Sequence, residues 1–403
     1  MGEMKKFFMA CGAACVVAGG FFLTNDTQGE GHKTITYHSH KKTMEMNKEI
    51  EENMSRFYYD SGYDFTYPED GVRGIYVTGH SAGGERFQRL VDLIDSTDLN
   101  AMVIDIKDDY GNLTFDPQDE VDLPNIGKNM ISDPVQLMND LEENEIYPIA
   151  RIVVFKDTVL AEDKPEWSFK ENGNIWKNGN GEAFVNPYVK DVWEYNVKIA
   201  KEAAKLGFKE IQFDYVRFPE GFEKRDEVLD YSRGDFGKEG NNIQQRVTAV
   251  TKFVEYAREE LQKEFDIDVS VDIFGYSATL DEAPGIGQNF SKISDNVDII
   301  SSMIYPSHWT PYFGIDKPDL HPYELTKEYA KVENEVLDGL ENPPESRPWI
   351  QDFTASWLGS GNYKPYGVKE VEDQIKALNE QNIDEFLLWN ANNNYTEGVD
   401  YTP

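Results

Sequence analysis

The feature that most constrains this chain is a repeated alternation that begins at Arg73 and runs to the end. Short runs rich in Val, Ile and Phe, of strand length, take turns with longer stretches whose apolar residues recur at helical spacing. Strand patterns lie at Gly74–Thr78, Ala101–Ile106, Tyr147–Phe155, within Lys209–Pro219, and at Val269–Gly275, Val297–Tyr305, Pro348–Phe353 and Glu385–Asn390. Helical patterns lie between them at Glu85–Ile94, Pro134–Asn144, Val189–Leu206, Ile243–Phe265, Asn289–Ser294, Pro322–Leu340 and Val368–Gln381. Local punctuation agrees with these limits. Asp133 stands in the capping position before Pro134, and Gly207 supplies a left-handed C-terminal cap after Leu206.

Alternation of this kind implies parallel strands joined by crossover helices. Eight such units, counted loosely at the C-terminal end, predict a (β/α)8 TIM barrel over residues 71–403. An open doubly wound sheet is the rival, but neither G-x-G-x-x-G nor a P-loop follows the first strand.

A TIM barrel builds its active site at the C-terminal ends of its strands, so the polar residues there carry the functional argument. Those ends hold Asp105 with Lys107 and Asp108, Arg151, Asp214 with Arg217, Asp272, Tyr305 with His308 and Trp309, Asp352, and Trp389 with Asn390. The stretch K-E-I-Q-F-D-Y-V-R-F-P at 209–219 is the most telling. Ile211, Phe213 and Tyr215 alternate with Gln212, Asp214 and Val216, which sets a carboxylate on a strand that the pattern wants buried. Such burial costs several kcal/mol unless the charge is paired or used. A structural ion pair with an arginine explains one such residue. Repetition along one rim points to chemistry.

Paired carboxylates at such a rim suit glycoside hydrolysis, in which one group protonates the leaving oxygen and the other attacks the anomeric carbon or activates water. Asp214 and Asp272, on consecutive strands, are the expected pair: Asp214 as nucleophile or base, Asp272 or Asp352 as acid. Arg151 and Lys107 are placed to keep neighbouring carboxylates ionised. Tyr305, His308, Trp309 and Trp389 are read as holding sugar rings, with Asp105, Arg217 and Asn390 as further substrate contacts.

Charge and termini bound the setting. With 39 Lys and Arg against 74 Asp and Glu the chain carries a formal −35, which repels nucleic acid and anionic lipid. Lys5 and Lys6 precede an apolar run from Phe7 to Leu23, so residues 1–26 read as a signal peptide or signal anchor. Residues 27–70 read as a polar linker, with a short helix possible at 44–57. An exported location is therefore expected, secreted or anchored, with membrane contact only through an uncleaved N-terminal segment. Both cysteines, Cys11 and Cys15, lie inside that segment, which leaves the exported part without a disulfide.

Two other chemistries compete for the same residues. G-H-S-A-G at 79–83 spells a nucleophile elbow, but His308 and His321 are each followed by a further strand pattern, the wrong order for an α/β-hydrolase. A metal-dependent hydrolase would have to assemble Asp105, Asp108 and His308, since neither H-x-x-x-H nor H-E-x-x-H occurs in the exported domain. No cofactor and no metal are expected.

The motifs G-I-Y-V-T-G at 74–79, V-I-D-I-K-D-D-Y-G at 103–111, Q-F-D-Y-V-R-F-P at 212–219, V-D-I-F-G at 271–275 and M-I-Y-P-S-H-W at 303–309 together resemble the glycosyl hydrolase domain of bacterial exported proteins. The resemblance covers roughly residues 71–394. It implies a TIM barrel and chemistry directed at a polysaccharide, with Asp214 and Asp272 at the matching strand ends. A noncatalytic cell-surface glycan-binding barrel is the alternative, and loss of activity on removing one carboxylate separates the two.

Overall fold

The computed structural model describes residues 58–117, 127–238 and 240–402. The expected signal or anchor at 1–26, the linker up to residue 57 and the helix at 44–57 lie outside the described residues. Eight parallel strands form one closed barrel: β1 (Arg73–Val77), β2 (Ala101–Lys107), β3 (Tyr147–Val153), β4 (Glu210–Asp214), β5 (Asp268–Phe274), β6 (Ile299–Met303), β7 (Trp349–Gln351) and β8 (Phe386–Trp389). Each pairs with its neighbour in sequence; β8 pairs with β1, and Met303 opposite Trp349 closes the remaining gap.

Seven helices, α1 (Arg86–Asp95), α2 (Pro134–Glu143), α3 (Lys190–Leu206), α4 (Asn242–Gln262), α5 (Phe290–Ser294), α6 (Pro322–Leu337) and α7 (Val368–Asn379), alternate with the strands. Asp133 caps α2 by accepting from the Gln136 N–H at 2.9 Å, and Gly207 ends α3 at φ 113°, as the sequence predicts. No helix follows β8 among the described residues. In its place residues 390–402 fold back across the barrel end, where the Asn393 amide donates to Tyr76 O at 2.8 Å and accepts from Thr78 N at 3.0 Å.

The strand alternation sorts side chains into two compartments. Ile104, Ile152, Ile211, Phe213, Val271, Ile273 and Leu388 point outward into one large cluster with Phe253, Val254, Ile375 and other helix residues. Full burial of each such side chain contributes roughly 1.5–3 kcal/mol. The lumen is smaller and mixed. Tyr76, Val103, Ile149, Trp349 and Leu387 fill its apolar part, and Gly74 leaves the room that Leu387 needs, since a Cβ there would lie 2.7 Å from its Cδ2.

Residues 58–72 pack across the N-terminal end of the barrel. The Tyr67 hydroxyl donates to Glu385 at 2.5 Å and accepts from Arg347 at 2.9 Å, and Arg347 bridges Glu210 and Glu385, both at 2.7 Å. These buried charges close the floor, opposite the end at which Asp214 and Asp272 emerge.

Candidate active site

Arg151 is the centre of the C-terminal end. It is 1% exposed, and its guanidinium reaches three carboxylates. Nη1 meets Asp105 Oδ1 at 2.7 Å, Nη2 meets Asp109 Oδ1 at 2.8 Å, and Nη2 and Nε meet Asp214 Oδ2 at 2.5 and 3.0 Å. Strand register produces this cluster, because Asp105 and Arg151 are direct partners across β2 and β3, and Val153 aligns with Asp214 on β4. The rings of Tyr76 and Trp389, stacked at 4.1 Å, lie 5.4 and 5.5 Å from the guanidinium and wall it in. Burial opposes the arginine charge, but Asp214, Asp109 and Asp105 outweigh it and hold the proton firmly on.

Asp214 is fully engaged on its inner side, since Oδ1 also accepts from the Tyr215 N–H at 2.5 Å. Asp272, 2% exposed, is arranged differently. Its Oδ1 accepts from the Trp349 indole at 2.7 Å, while Oδ2 has no hydrogen-bond partner among the described residues. Burial, and then the negative charge of Asp214, push the Asp272 carboxyl well above the ordinary range. The two carboxyls thus stand in different settings, one bonded to a permanent cation and one whose burial favours its protonated form and whose second oxygen is free. Asp105 takes a third position: its Oδ2 accepts from the Tyr76 hydroxyl at 2.5 Å, and burial raises it to about 6 against the pull of Arg151.

Tyr305 completes the inner site. Burial above all pushes its hydroxyl well above the normal phenol, so it stays a donor. That hydroxyl has no hydrogen-bond partner among the described residues, which leaves it for a ligand.

Tyr215, the residue after Asp214, corrects the expected strand. The ladder stops at Asp214, and Tyr215 turns away at φ 52°, a costly region for a tyrosine. Its ring lies between Lys156 Nζ at 4.2 Å and the Arg217 guanidinium at 4.6 Å, and Arg217 also covers Phe274 at 4.7 Å. Arg217 therefore stands at the rim beside the carboxylates.

Several expected contacts are not brought to this centre. A register irregularity between Asp105 and Lys107 turns Lys107 toward the helices, where it is fully buried against Asp157 Oδ2 at 2.6 Å and Asn196 Oδ1 at 2.9 Å. Asp352 accepts from Thr396 Oγ1 at 2.5 Å and Thr396 N at 2.9 Å, and Asn390 donates to Asp352 O at 2.6 Å. Both fasten the C-terminal segment. Trp309 packs among Tyr312, Phe313 and Tyr329, whereas His308 is exposed beside Tyr305 and Phe353.

The competing chemistries lack their partners. Ser81 Oγ accepts from Thr78 Oγ1 at 3.1 Å inside a short helix, Gly79–Ala82, with no histidine bonded to it. Its glycines serve packing, since a Cβ on Gly83 would lie 1.9 Å from Met130 O. Asp108 is occupied by the backbone N–H groups of 110–112, and among the described residues no three His, Cys, Asp or Glu side chains group as metal ligands.

A parallel (β/α)8 barrel with an arginine-paired carboxylate and a second buried carboxyl at its mouth holds the groups that glycoside hydrolysis uses. The chain matches the model of the DUF4015 family, described as "Putative glycosyl hydrolase domain", over residues 74–395, and it belongs to that family. Among solved structures, the glycoside hydrolase domain of PgaB (BpsB) from Bordetella bronchiseptica is similar, with a TM-score of 0.54 and 14% identity over 79% of this chain and 94% of that one. The β-galactosidase of the psychrophilic Marinomonas ef1 gives 0.54 and 10%, over 79% and 54%. A hypothetical protein from Ruminiclostridium thermocellum is 35% identical over 49% of this chain and 96% of its own, with a TM-score of 0.41. No match is found among curated proteins.

Proposed function

We propose that this chain is an extracytoplasmic glycoside hydrolase that cleaves a polysaccharide, with Asp272 as general acid and Asp214 as nucleophile or base. The observation that carries the reading is the unequal pair: Asp214 held by Arg151, and Asp272 buried with Oδ2 unbonded. Asp272 gives its proton to the glycosidic oxygen as the bond to the anomeric carbon breaks. Asp214 then either forms a bond to that carbon or takes a proton from the water that does. Tyr305 donates to the sugar, and Trp389 and Tyr76 form an aromatic wall beside it. Asp105, tied to both Tyr76 and Arg151, sets the orientation of the guanidinium.

Export rests on the Lys5-Lys6 pair and the apolar run after it. Reducing-end release from bacterial cell-wall and exopolysaccharide glycans tests the activity. Wild-type protein is expected to release ends, and Asp214→Asn, which keeps the shape and removes the charge, to lose on the order of a thousandfold or more. Unchanged release by the variant would remove Asp214 from the chemistry.

A further inference from the structure

Trp357 is 64% exposed, although most large apolar side chains in this molecule are buried. Single exposed hydrophobics are ordinary, so exposure alone says little. Its setting says more. Trp357 sits on a 3-10 turn, Ser356–Leu358, in the loop after β7, at the same barrel end as Asp214 and Asp272. Its ring stacks on Phe353 at 5.8 Å and 21°, and meets the edge of His308 at 6.5 Å. The loop is fastened: Lys317 Nζ donates to Gly361 O at 2.7 Å, and the Tyr366 N–H to Thr354 Oγ1 at 3.0 Å. The indole face is therefore presented by a fixed support.

Ring contacts lead inward from it without a break. His308 and Phe353 meet Tyr305 at 5.3 and 6.2 Å, Tyr305 meets Trp389 at 6.2 Å, and Trp389 lies over Arg151. An aromatic track thus joins solvent to the carboxylate cluster. A pyranose fits such a track because it has an apolar C–H face for stacking and hydroxyls at its edge for water, and Trp offers the largest flat surface for it.

We propose that Trp357, supported by Phe353 and His308, is a sugar-binding subsite for a unit of the polysaccharide other than those joined at the cleaved bond. The proposal deepens the hydrolase reading and rests on it for the identity of the ligand as a glycan. Its consequence is length dependence. A long chain reaches both the carboxylates and Trp357, whereas a disaccharide at the carboxylates does not reach the indole.

The test is binding of the full chain to peptide-free peptidoglycan strands and to secreted exopolysaccharides, each compared with its own disaccharide, by affinity electrophoresis and calorimetry. For any polymer that wild type binds, Trp357→Ala is expected to weaken binding on the order of tenfold, as one lost aromatic contact would. Trp357→Phe should recover part of it, and disaccharide binding should not change. Equal polymer binding by wild type and Trp357→Ala overturns the proposal, as does a wild type that binds no polymer. Trp357-dependent binding without any cleavage would keep the subsite and reject the hydrolase reading. Because Trp357 is exposed, its replacement does not put folding at risk.

Discussion

One arginine reconciles three carboxylates at the mouth of this barrel, and that gives individual residues a pH signature. Burial raises the Asp105 carboxyl to about 6, against the pull of Arg151. In the unfolded chain it titrates near 4. Between those values the folded state binds more protons than the unfolded one, so stability falls as pH rises across the window. The contribution is fully present below about pH 4 and is lost above about pH 6. Urea unfolding at pH 4.5 and pH 7.5 is therefore expected to show wild type losing more stability on alkalinisation than Asp105→Asn, which cannot titrate. Equal losses would mean that Asp105 is already ionised at the lower pH. The same cluster shows what sequence can and cannot reveal about a site. Asp214 and Asp272 were legible because a carboxylate interrupts an apolar alternation at a strand end. Tyr76 and Trp349 were not, since aromatics inside a strand read as core. Asp109 was hidden in a loop, and the left-handed turn at Tyr215 has no glycine to announce it.

At the scale of elements, strand and helix limits agree with the hydrophobic periods to within a few residues, because here one period identifies each element type. The departures have local causes. The irregularity in β2 sends Lys107 outward, and no pattern of apolar residues predicts where a strand slips. The seventh strand region pairs with β6 at Glu345–Ser346 and again at Trp349, with Arg347 and Pro348 between, so that Arg347 reaches the lumen floor. The polar composition of 58–70 suggests a linker, yet Tyr67 within it completes the Arg347 network. Tyr67→Phe removes a hydroxyl that both donates and accepts in a buried ion network, and is expected to cost about 1–3 kcal/mol. Chemical denaturation measures it. A loss below about 0.5 kcal/mol would show that water replaces the hydroxyl without penalty.

For the whole molecule, the barrel divides its polar interior into two ends with different duties. The floor, built on Arg347, Glu210 and Glu385, has its buried acceptors and donors paired and is arranged for stability. The mouth leaves two polar groups unbonded among the described residues, Asp272 Oδ2 and the Tyr305 hydroxyl, in the same region where Asp214 is paired with Arg151. The formal −35 is not concentrated at this centre, whose carboxylates are balanced in part by Arg151, Lys156 and Arg217. The role of Asp272 as proton donor is tested with two leaving groups. Wild type and Asp272→Asn should be compared on a polysaccharide that wild type cleaves and on a dinitrophenyl glycoside of its constituent sugar. Asp272→Asn is expected to lose on the order of a hundredfold or more on the polysaccharide, whose leaving oxygen needs a proton, and little in forming dinitrophenolate, which leaves without one. Equal losses on both substrates, or none on either, would contradict it.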